Sequence, residues 1–268
     1  MTSTLSRHQA TPTPSVKHLQ LADLSAALRA GWADFRAAPL FGLFFSAVYV
    51  AVGLLLLQVG AAVFTWMLTL SLGFPLIAPF LAVGLYDVSR RLERGEVPRF
   101  SDVLPIIWQE RTRQIPWAGA VIMIYFLFWT FFAHMLFALF MGPSALMGPP
   151  TDLQTYLSGP GLAMITIELA VGAVFAFLLF SLTAISLPLL LDLEMDFVTA
   201  MLLSLKVTRQ NLFVMFVWAA IIALMTLLAL VPLFLGLFLV LPVLGHASWH
   251  LYRRALAEAP RGSADRLS

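Results

Sequence analysis

Fifty consecutive residues without an Asp, Glu, Lys, Arg or His, from Ala37 to Tyr86, constrain the fold more than any other feature of the sequence. As one helix this stretch would be about 75 Å long, more than twice the hydrocarbon core of a bilayer at about 30 Å. It must fold back on itself, and Gln58 and Gly60 mark a predicted turn over residues 58–62. Lipid permits only helices or closed barrels, and the alternation typical of barrel strands is absent. The sequence therefore predicts a helical hairpin.

The composition assigns the chain to the membrane class before any motif is considered. Hydrophobic residues make up 60% of the 268 residues and charged ones only 11%, against about 25% charged in a typical soluble domain. The chain has no Cys, which excludes disulfides, thiolate metal ligands and cysteine nucleophiles. The formal net charge of +2 gives no indication of nucleic-acid binding. The predicted partners are therefore the lipid bilayer and other membrane proteins.

Hydropathy and length predict an all-α polytopic membrane bundle of six transmembrane helices, arranged as three hairpins with short cytoplasmic interfacial helices. The predicted spans are residues 39–58, 63–86, 117–140, 165–190, 211–231 and 233–252. The second helix is expected to continue into water as far as Arg94 and to end at Gly95, a residue suited to a C-terminal cap.

The six spans form one predicted domain, residues 21–255, between disordered tails at residues 1–20 and 256–268. The domain begins with an amphipathic stretch whose apolar residues recur at helical spacing: Leu21, Leu24, Leu28, Trp32 and Phe35. Such a helix fits the membrane interface. Packing of a short helix against the protein's own cytoplasmic side is an equally good interpretation.

The distribution of basic residues tests these spans independently. If the N-terminus is cytoplasmic, the inner segments hold all 16 Lys and Arg residues and the three outer loops hold none. The positive-inside bias therefore predicts a multi-pass protein of the bacterial inner membrane with both termini in the cytoplasm. The basic residues that mark the inner ends of the spans are Arg36, Arg90, Arg91, Arg94, Arg113, Arg209, Arg253 and Arg254.

Four separated motifs follow one another along the chain: Gly31 to Pro39 (GWADFRAAP), Gly84 to Arg91 (GLYDVSRR), Ser186 to Asp192 (SLPLLLD) and Leu244 to Arg253 (LGHASWHLYR). In this order they resemble the domain-of-unknown-function 2189 family of predicted bacterial integral membrane proteins, over about residues 24–254. The resemblance implies an inner-membrane protein of a proteobacterium-like cell with no established activity.

Two histidines of the last span, His246 and His250, are four residues apart and share one helix face, a spacing that suits a shared metal ion. A metal site needs further ligands, and Asp192 and Asp196, in the inner turn after the fourth span, are the available carboxylates on that side. The candidate metal site is therefore His246, His250 and Asp192. A structural role is the preferred interpretation, with the imidazoles bonding carbonyls freed by Pro242 or hydroxyl groups of neighbouring spans. No cofactor is predicted.

His134 and Glu168 are the other Asp, Glu, Lys, Arg or His residues inside predicted spans. Counting about 1.5 Å per residue from the inner ends of their helices places both near the outer interface, on antiparallel neighbours. They are a candidate polar pair, and independent solvation at the interface is the alternative.

The sequence contains no Ser-His-Asp constellation, phosphate loop, zinc-peptidase motif or dinucleotide fingerprint, so no catalytic residue is predicted. We expect a non-catalytic membrane protein that acts as a scaffold or accessory, or in envelope maintenance. One alternative is a small-solute transporter or permeation module, indicated by an apparent repeat of hairpins and by prolines within spans. Another is a membrane redox accessory that uses the two histidines of the last span to hold a metal or haem.

Overall fold

The computed structural model describes residues 14–59, 64–110, 112–146, 152–157 and 159–257. These residues are helical except for turns, short connections and one isolated antiparallel bridge between Val16 and Leu256. The α-helices are α1 Leu21–Ala37, α2 Pro39–Val59, α3 Phe64–Glu93, α4 Phe100–Glu110, α5 Ile115–Met141, α6 Leu153–Leu157, α7 Gly159–Thr183, α8 Ser186–Asp192, α9 Phe197–Gln210, α10 Leu212–Leu230 and α11 Leu237–Ala255. A 3₁₀-helix, Pro143–Leu146, follows α5. The turn predicted at residues 58–62 lies mostly outside the described residues.

Helix α1 packs along α11. Its buried face consists of Leu24, Ala27 and Gly31. A Cβ at Gly31 would lie 2.6 Å from the carbonyl oxygen of Val243 and 2.6 Å from the amide nitrogen of Ala247, so only glycine permits this approach. The amphipathic stretch is thus in contact with the protein's own helices, which is the second of the two interpretations given above.

Helix α1 keeps an exposed apolar side as well, because Leu21 and Trp32 are about half exposed. Ala38 separates α1 from α2, and the two helices meet at an angle of 100°. Pro39 favours this break, since it lacks the N–H that a continuous helix would need and suits the first position of a new one.

Helix α3 ends where the sequence predicts. Gly95 has φ +73°, its N–H donates to the carbonyl of Leu92 at 3.0 Å, and the N–H of Glu96 donates to the carbonyl of Arg91 at 2.9 Å. This pair of bonds is the Schellman motif, which requires a left-handed residue that glycine supplies at low cost. The predicted cap at Gly95 is confirmed.

The fourth predicted span is a broken helix. The apolar segment Gly159–Asp192 consists of α7 and α8, with Ala184 and Ile185 between them. Pro188 explains the break, because it has no N–H for the carbonyl of Ala184 and its ring would clash with that carbonyl in a continuous helix.

A serine from another helix satisfies the backbone at this break. The Oγ of Ser204, on α9, accepts from the N–H of Ile185 at 3.2 Å and donates to the carbonyl of Ser181 at 2.8 Å. Beyond the break, residues 186–191 are buried on every side. Helix α8 is therefore a core element, enclosed by α3, α5, α7, α9 and α11.

Three segments of the described chain are long and apolar enough to cross a membrane: Ile115–Met141, Gly159–Asp192 and Leu212–Leu230. A fourth results if α1 and Pro39–Leu55 count as one bent span. The predicted total of six is therefore not confirmed. Helix α11 is not apolar enough over its whole length to count as a span, because its C-terminal half carries two His and two Arg residues. For α3, the side chains of residues 64–77 are outside the described set.

Residues 14–20 differ from the predicted disordered tail. The N–H of Lys17 donates to the carbonyl of Ala255 at 2.9 Å, and the N–H of Leu19 donates to the Oδ1 of Asn211 at 2.7 Å. These bonds hold an extended segment against the end of α11 and the start of α10. The remainder of each predicted tail lies outside the described residues.

Among the described residues, helices α5, α7 and α10 carry many of the exposed large apolar side chains. Large side chains that are half exposed or more include Phe128, Phe131 and Leu139 on α5, Leu169 and Val174 on α7, and Phe213, Phe216 and Leu227 on α10. Such surfaces suit lipid, in which exposed apolar side chains carry no penalty.

Candidate functional site

A buried carboxylate lies near the end of α3. The side chain of Asp87 is 0% exposed and accepts hydrogen bonds from the Nε of Arg90 at 3.1 Å and the Nε of Arg91 at 2.8 Å. Residues three and four apart lie on one helix face, so both guanidinium groups reach the same acid. The hydrogen bond to Asp87 raises the pKa of Arg91. Arg90 also donates to the carbonyl of Leu191 at 3.0 Å, which joins α3 to α8.

The ends of α8 and α11 join the same group of contacts. Asp192 accepts from the hydroxyl of Tyr252 at 2.7 Å and from Arg253 at 3.5 Å. Glu93 accepts from the Nε1 of Trp249 at 3.1 Å and from the Nε of Arg253 at 3.2 Å. Arg253 therefore bridges acids from two other helices. We call the region where α3, α8 and α11 end the polar end of the molecule.

The two histidines of α11 bond to two different helices. Nδ1 of His246 lies 2.7 Å from the Oγ of Ser89 on α3, and both residues are fully buried. Nε2 of His250 lies 2.7 Å from the Oδ2 of Asp34 on α1. A serine on a neighbouring helix is the kind of partner that the structural interpretation of His246 expects. Helix α11 is thereby fastened between α3 and α1.

The predicted metal ligands are engaged in separate contacts. Ser89 bonds His246, Asp34 bonds His250, and Tyr252 bonds Asp192. Among the described residues no three His, Asp or Glu side chains form a group that could hold a metal ion. The metal site stays a prediction, and these contacts favour the structural role.

His134 and Glu168, the predicted polar pair, lie on two helices that pack against each other. His134 on α5 places its Nδ1 2.7 Å from the carbonyl oxygen of Thr130 in its own helix. Glu168 lies on α7, which packs against α5. A direct pair stays a prediction.

The basic residues at the inner ends of the predicted spans fall into two groups. Arg113 binds Glu110 at 2.9 Å and also contacts Glu194, and the hydrogen bond to Glu110 raises its pKa. Arg254 binds Asp23 at 3.3 Å, and the contacts of Arg90, Arg91 and Arg253 are given above. A second group is exposed and makes no ion pair within the described part of the chain: Arg36, Arg94 and Arg209.

Several residues of the polar end were not predicted from the sequence. Asp87 had a local signal, since Arg90 and Arg91 follow it at helical spacing. Ser89 and Asp34 had none, because their partners are 157 and 216 residues away in the chain. Taken together, these contacts join the ends of α1, α3, α8 and α11.

Comparison with known proteins identifies a family and nothing more specific. No curated protein and no solved structure matches the chain. The motifs at Gly84 to Arg91 and Ser186 to Asp192 lie within a family match, while the other two motifs lie outside it, so the match is shorter than the resemblance expected. Residues 66–192 match the family described as "Predicted integral membrane protein (DUF2189)", which confirms the predicted family over this part of the chain.

Proposed function

We propose that this chain is a six-span protein of the bacterial inner membrane, with both termini in the cytoplasm, and that it serves other membrane components as a non-catalytic scaffold or accessory. Helices α2 and α3, with 21 and 30 residues, are long enough to cross a bilayer. Turns at residues 231–236 reverse the chain between α10 and α11. In this arrangement the polar end faces the cytoplasm.

One observation carries the proposal: the ionisable side chains of the polar end are committed to one another. Asp87, Glu93 and Asp192 each bind an arginine, and His250 binds Asp34. Groups held in such contacts fix the helices relative to one another. A rigid end that joins α1, α3, α8 and α11 suits a platform for assembly.

The topology is tested by single cysteines, because the natural chain has none. We expect Ser144→Cys, in the loop after α5, to react with a membrane-impermeant thiol reagent added to intact cells. Ser101→Cys, at the start of α4, should react only after the membrane is opened. Labelling of Ser101→Cys in intact cells would contradict the proposed orientation.

The scaffold role is tested by purification in membrane discs that retain native lipid, followed by quantitative mass spectrometry. We expect a partner at fixed stoichiometry with the wild-type chain. A test variant, Leu104→Ser with Trp108→Ser, alters two exposed side chains of α4, and we expect it to reduce the amount of bound partner. Recovery of the bare protein from every preparation would contradict the scaffold role.

A transporter is the second candidate, favoured by the break between α7 and α8. Discontinuous helices and buried polar groups often mark transport sites, and Ser186 and Ser204 are both fully buried there. Against this, Pro188 and Pro242 are also buried, and a Cβ at Gly42 would lie only 2.7 Å from the Cβ of Pro242.

Thiol accessibility separates these two functions. If the protein is a scaffold, we expect Ser204→Cys in purified protein to resist a water-soluble thiol reagent and the exposed Ser101→Cys to react readily. Rapid labelling of Ser204→Cys would show a water-filled path to the helix break and would favour the transporter.

A further inference from the structure

Helix α9 bears a basic groove on its exposed side. The groove has a volume of about 440 Å³, and the residues that line it are Leu202, Leu205, Lys206, Arg209 and Gln210. These residues recur every three or four positions and so form one face of the helix. The opposite face, with Ala200, Leu203 and Val207, is buried in the protein.

The groove lies where the chain enters the lipid-facing part of the molecule. At the start of α9, Phe197 stacks on Trp117 near the start of α5, with ring centroids 6.4 Å apart. Exposed Trp residues at the ends of spans mark the membrane interface. After the end of α9, Phe213 and Phe216 of α10 are exposed, so a span with exposed apolar side chains follows the groove directly in the chain.

No acid among the described residues neutralises the two cations of the groove. Within the described residues, neither Lys206 nor Arg209 forms an ion pair. The nearest acid along the helix is Asp196, which is about 15 Å before Lys206 at about 1.5 Å per residue and binds the N–H of Thr199. Basic residues beside a lipid-facing helix at the interface are suited to anionic headgroups.

We propose that this groove binds one anionic phospholipid, with the headgroup phosphate on Lys206 and Arg209 and the acyl chains along α10. Arginine can hold a phosphate through two hydrogen bonds, and lysine supplies a compact second charge. The exposed side chain of Leu202 gives the headgroup region an apolar neighbour. The site does not depend on a partner protein, and only its assignment to the inner leaflet rests on the proposed orientation.

The test uses the full-length protein, stripped of lipid in an uncharged detergent and titrated with phosphatidylglycerol or phosphatidylcholine, with bound lipid counted by native mass spectrometry. We expect one phosphatidylglycerol to be preferred over phosphatidylcholine. The double variant Lys206→Gln and Arg209→Gln should weaken phosphatidylglycerol binding roughly 30-fold, equivalent to about 2 kcal/mol, since each cation near an anionic lipid contributes about half of that.

The matched control is Arg94→Gln with Arg99→Gln, which removes two exposed cations from the connector between α3 and α4. It should leave the single preferred site unchanged. An equal loss in both double variants would show general charge attraction and overturn the proposal, as would equal binding of phosphatidylcholine. Competition by inorganic phosphate as strong as that by the lipid would show a free-anion site instead. Circular dichroism and size-exclusion profiles establish that the variants are folded.

Discussion

The polar end and the lipid-facing helices α5, α7 and α10 are stabilised in different ways. At the polar end, charged and polar side chains from distant parts of the sequence bond to one another within a closely packed core. Along α5 very few residues are buried, and its contacts with α7 include the aromatic rings of Tyr125, Trp129 and Phe175.

The difference reflects the solvent that each region faces. Between helices in lipid there is no hydrophobic driving force, so close packing and hydrogen bonds hold them together, such as the bond from the hydroxyl of Tyr125 to the carbonyl of Phe175 at 2.7 Å. Where helices end near water, buried apolar residues and ion pairs both contribute. We therefore expect substitutions at the polar end to cost more stability than similar substitutions among the lipid-facing helices.

The largest effect is expected for Asp87→Asn. This change leaves the guanidinium groups of Arg90 and Arg91 without their buried acid, which typically costs about 3–5 kcal/mol. Denaturant unfolding in detergent, followed by circular dichroism, measures the loss. Glu194→Gln is the control, because it removes an acid that is 85% exposed, and such surface pairs contribute about 0–1 kcal/mol. Equal losses in the two variants would contradict the importance of the buried site.

The next largest loss of stability is expected at one of two glycines that can be compared directly. Gly31→Ala places a methyl group against backbone atoms of α11 and should force α1 away, with a loss of about 1–3 kcal/mol. Gly172→Ala meets only the ring of Trp129, at 3.1 Å, and that side chain can shift. Thermal unfolding of both variants should show the larger decrease for Gly31→Ala, and the reverse order would refute the comparison.

His246→Ala tests the structural role against the metal alternative. Loss of the imidazole leaves the buried hydroxyl of Ser89 without this partner, and we expect a cost of about 1–3 kcal/mol. Elemental analysis should show the same metal content in the variant and the wild type. Stoichiometric metal in the wild type that disappears in His246→Ala would favour the redox accessory.

The smallest effect concerns two helix caps. Asp196 caps α9 by accepting from the N–H of Thr199 at 2.8 Å, and bonds from the hydroxyl and N–H of Thr199 lower its pKa. Asp196→Ala should cost about 1 kcal/mol, typical of an N-cap. Asp152, which accepts from the N–H of Thr155 at 2.8 Å, caps the five-residue α6. Asp152→Ala should leave global unfolding unchanged.

The cap on α9 also predicts a pH dependence. A carboxylate whose pKa is lowered in the fold stabilises at pH values above its ordinary pKa, and this contribution is lost as the pH falls through the folded pKa. The difference between wild type and Asp196→Ala should therefore shrink on acidification. A difference that does not change with pH would mean that the carboxylate charge is irrelevant to the cap.

Local chemistry was sufficient for the helical membrane class, the family motifs and the stop of α3 at Gly95, because chain length, hydropathy and capping act between near neighbours. Pro188 and Ser204 show the limit of such reasoning. A proline predicts a break in a helix, but the serine that satisfies the backbone at this break comes from another element.

His246 and His250 share a face in any helix, but which partner each one binds, Ser89 or Asp34, follows from the position of α11 between α3 and α1. Hydrogen bonds across 157 and 216 residues exist only once the chain has packed, and so tertiary structure alone decided that the two imidazoles join helices.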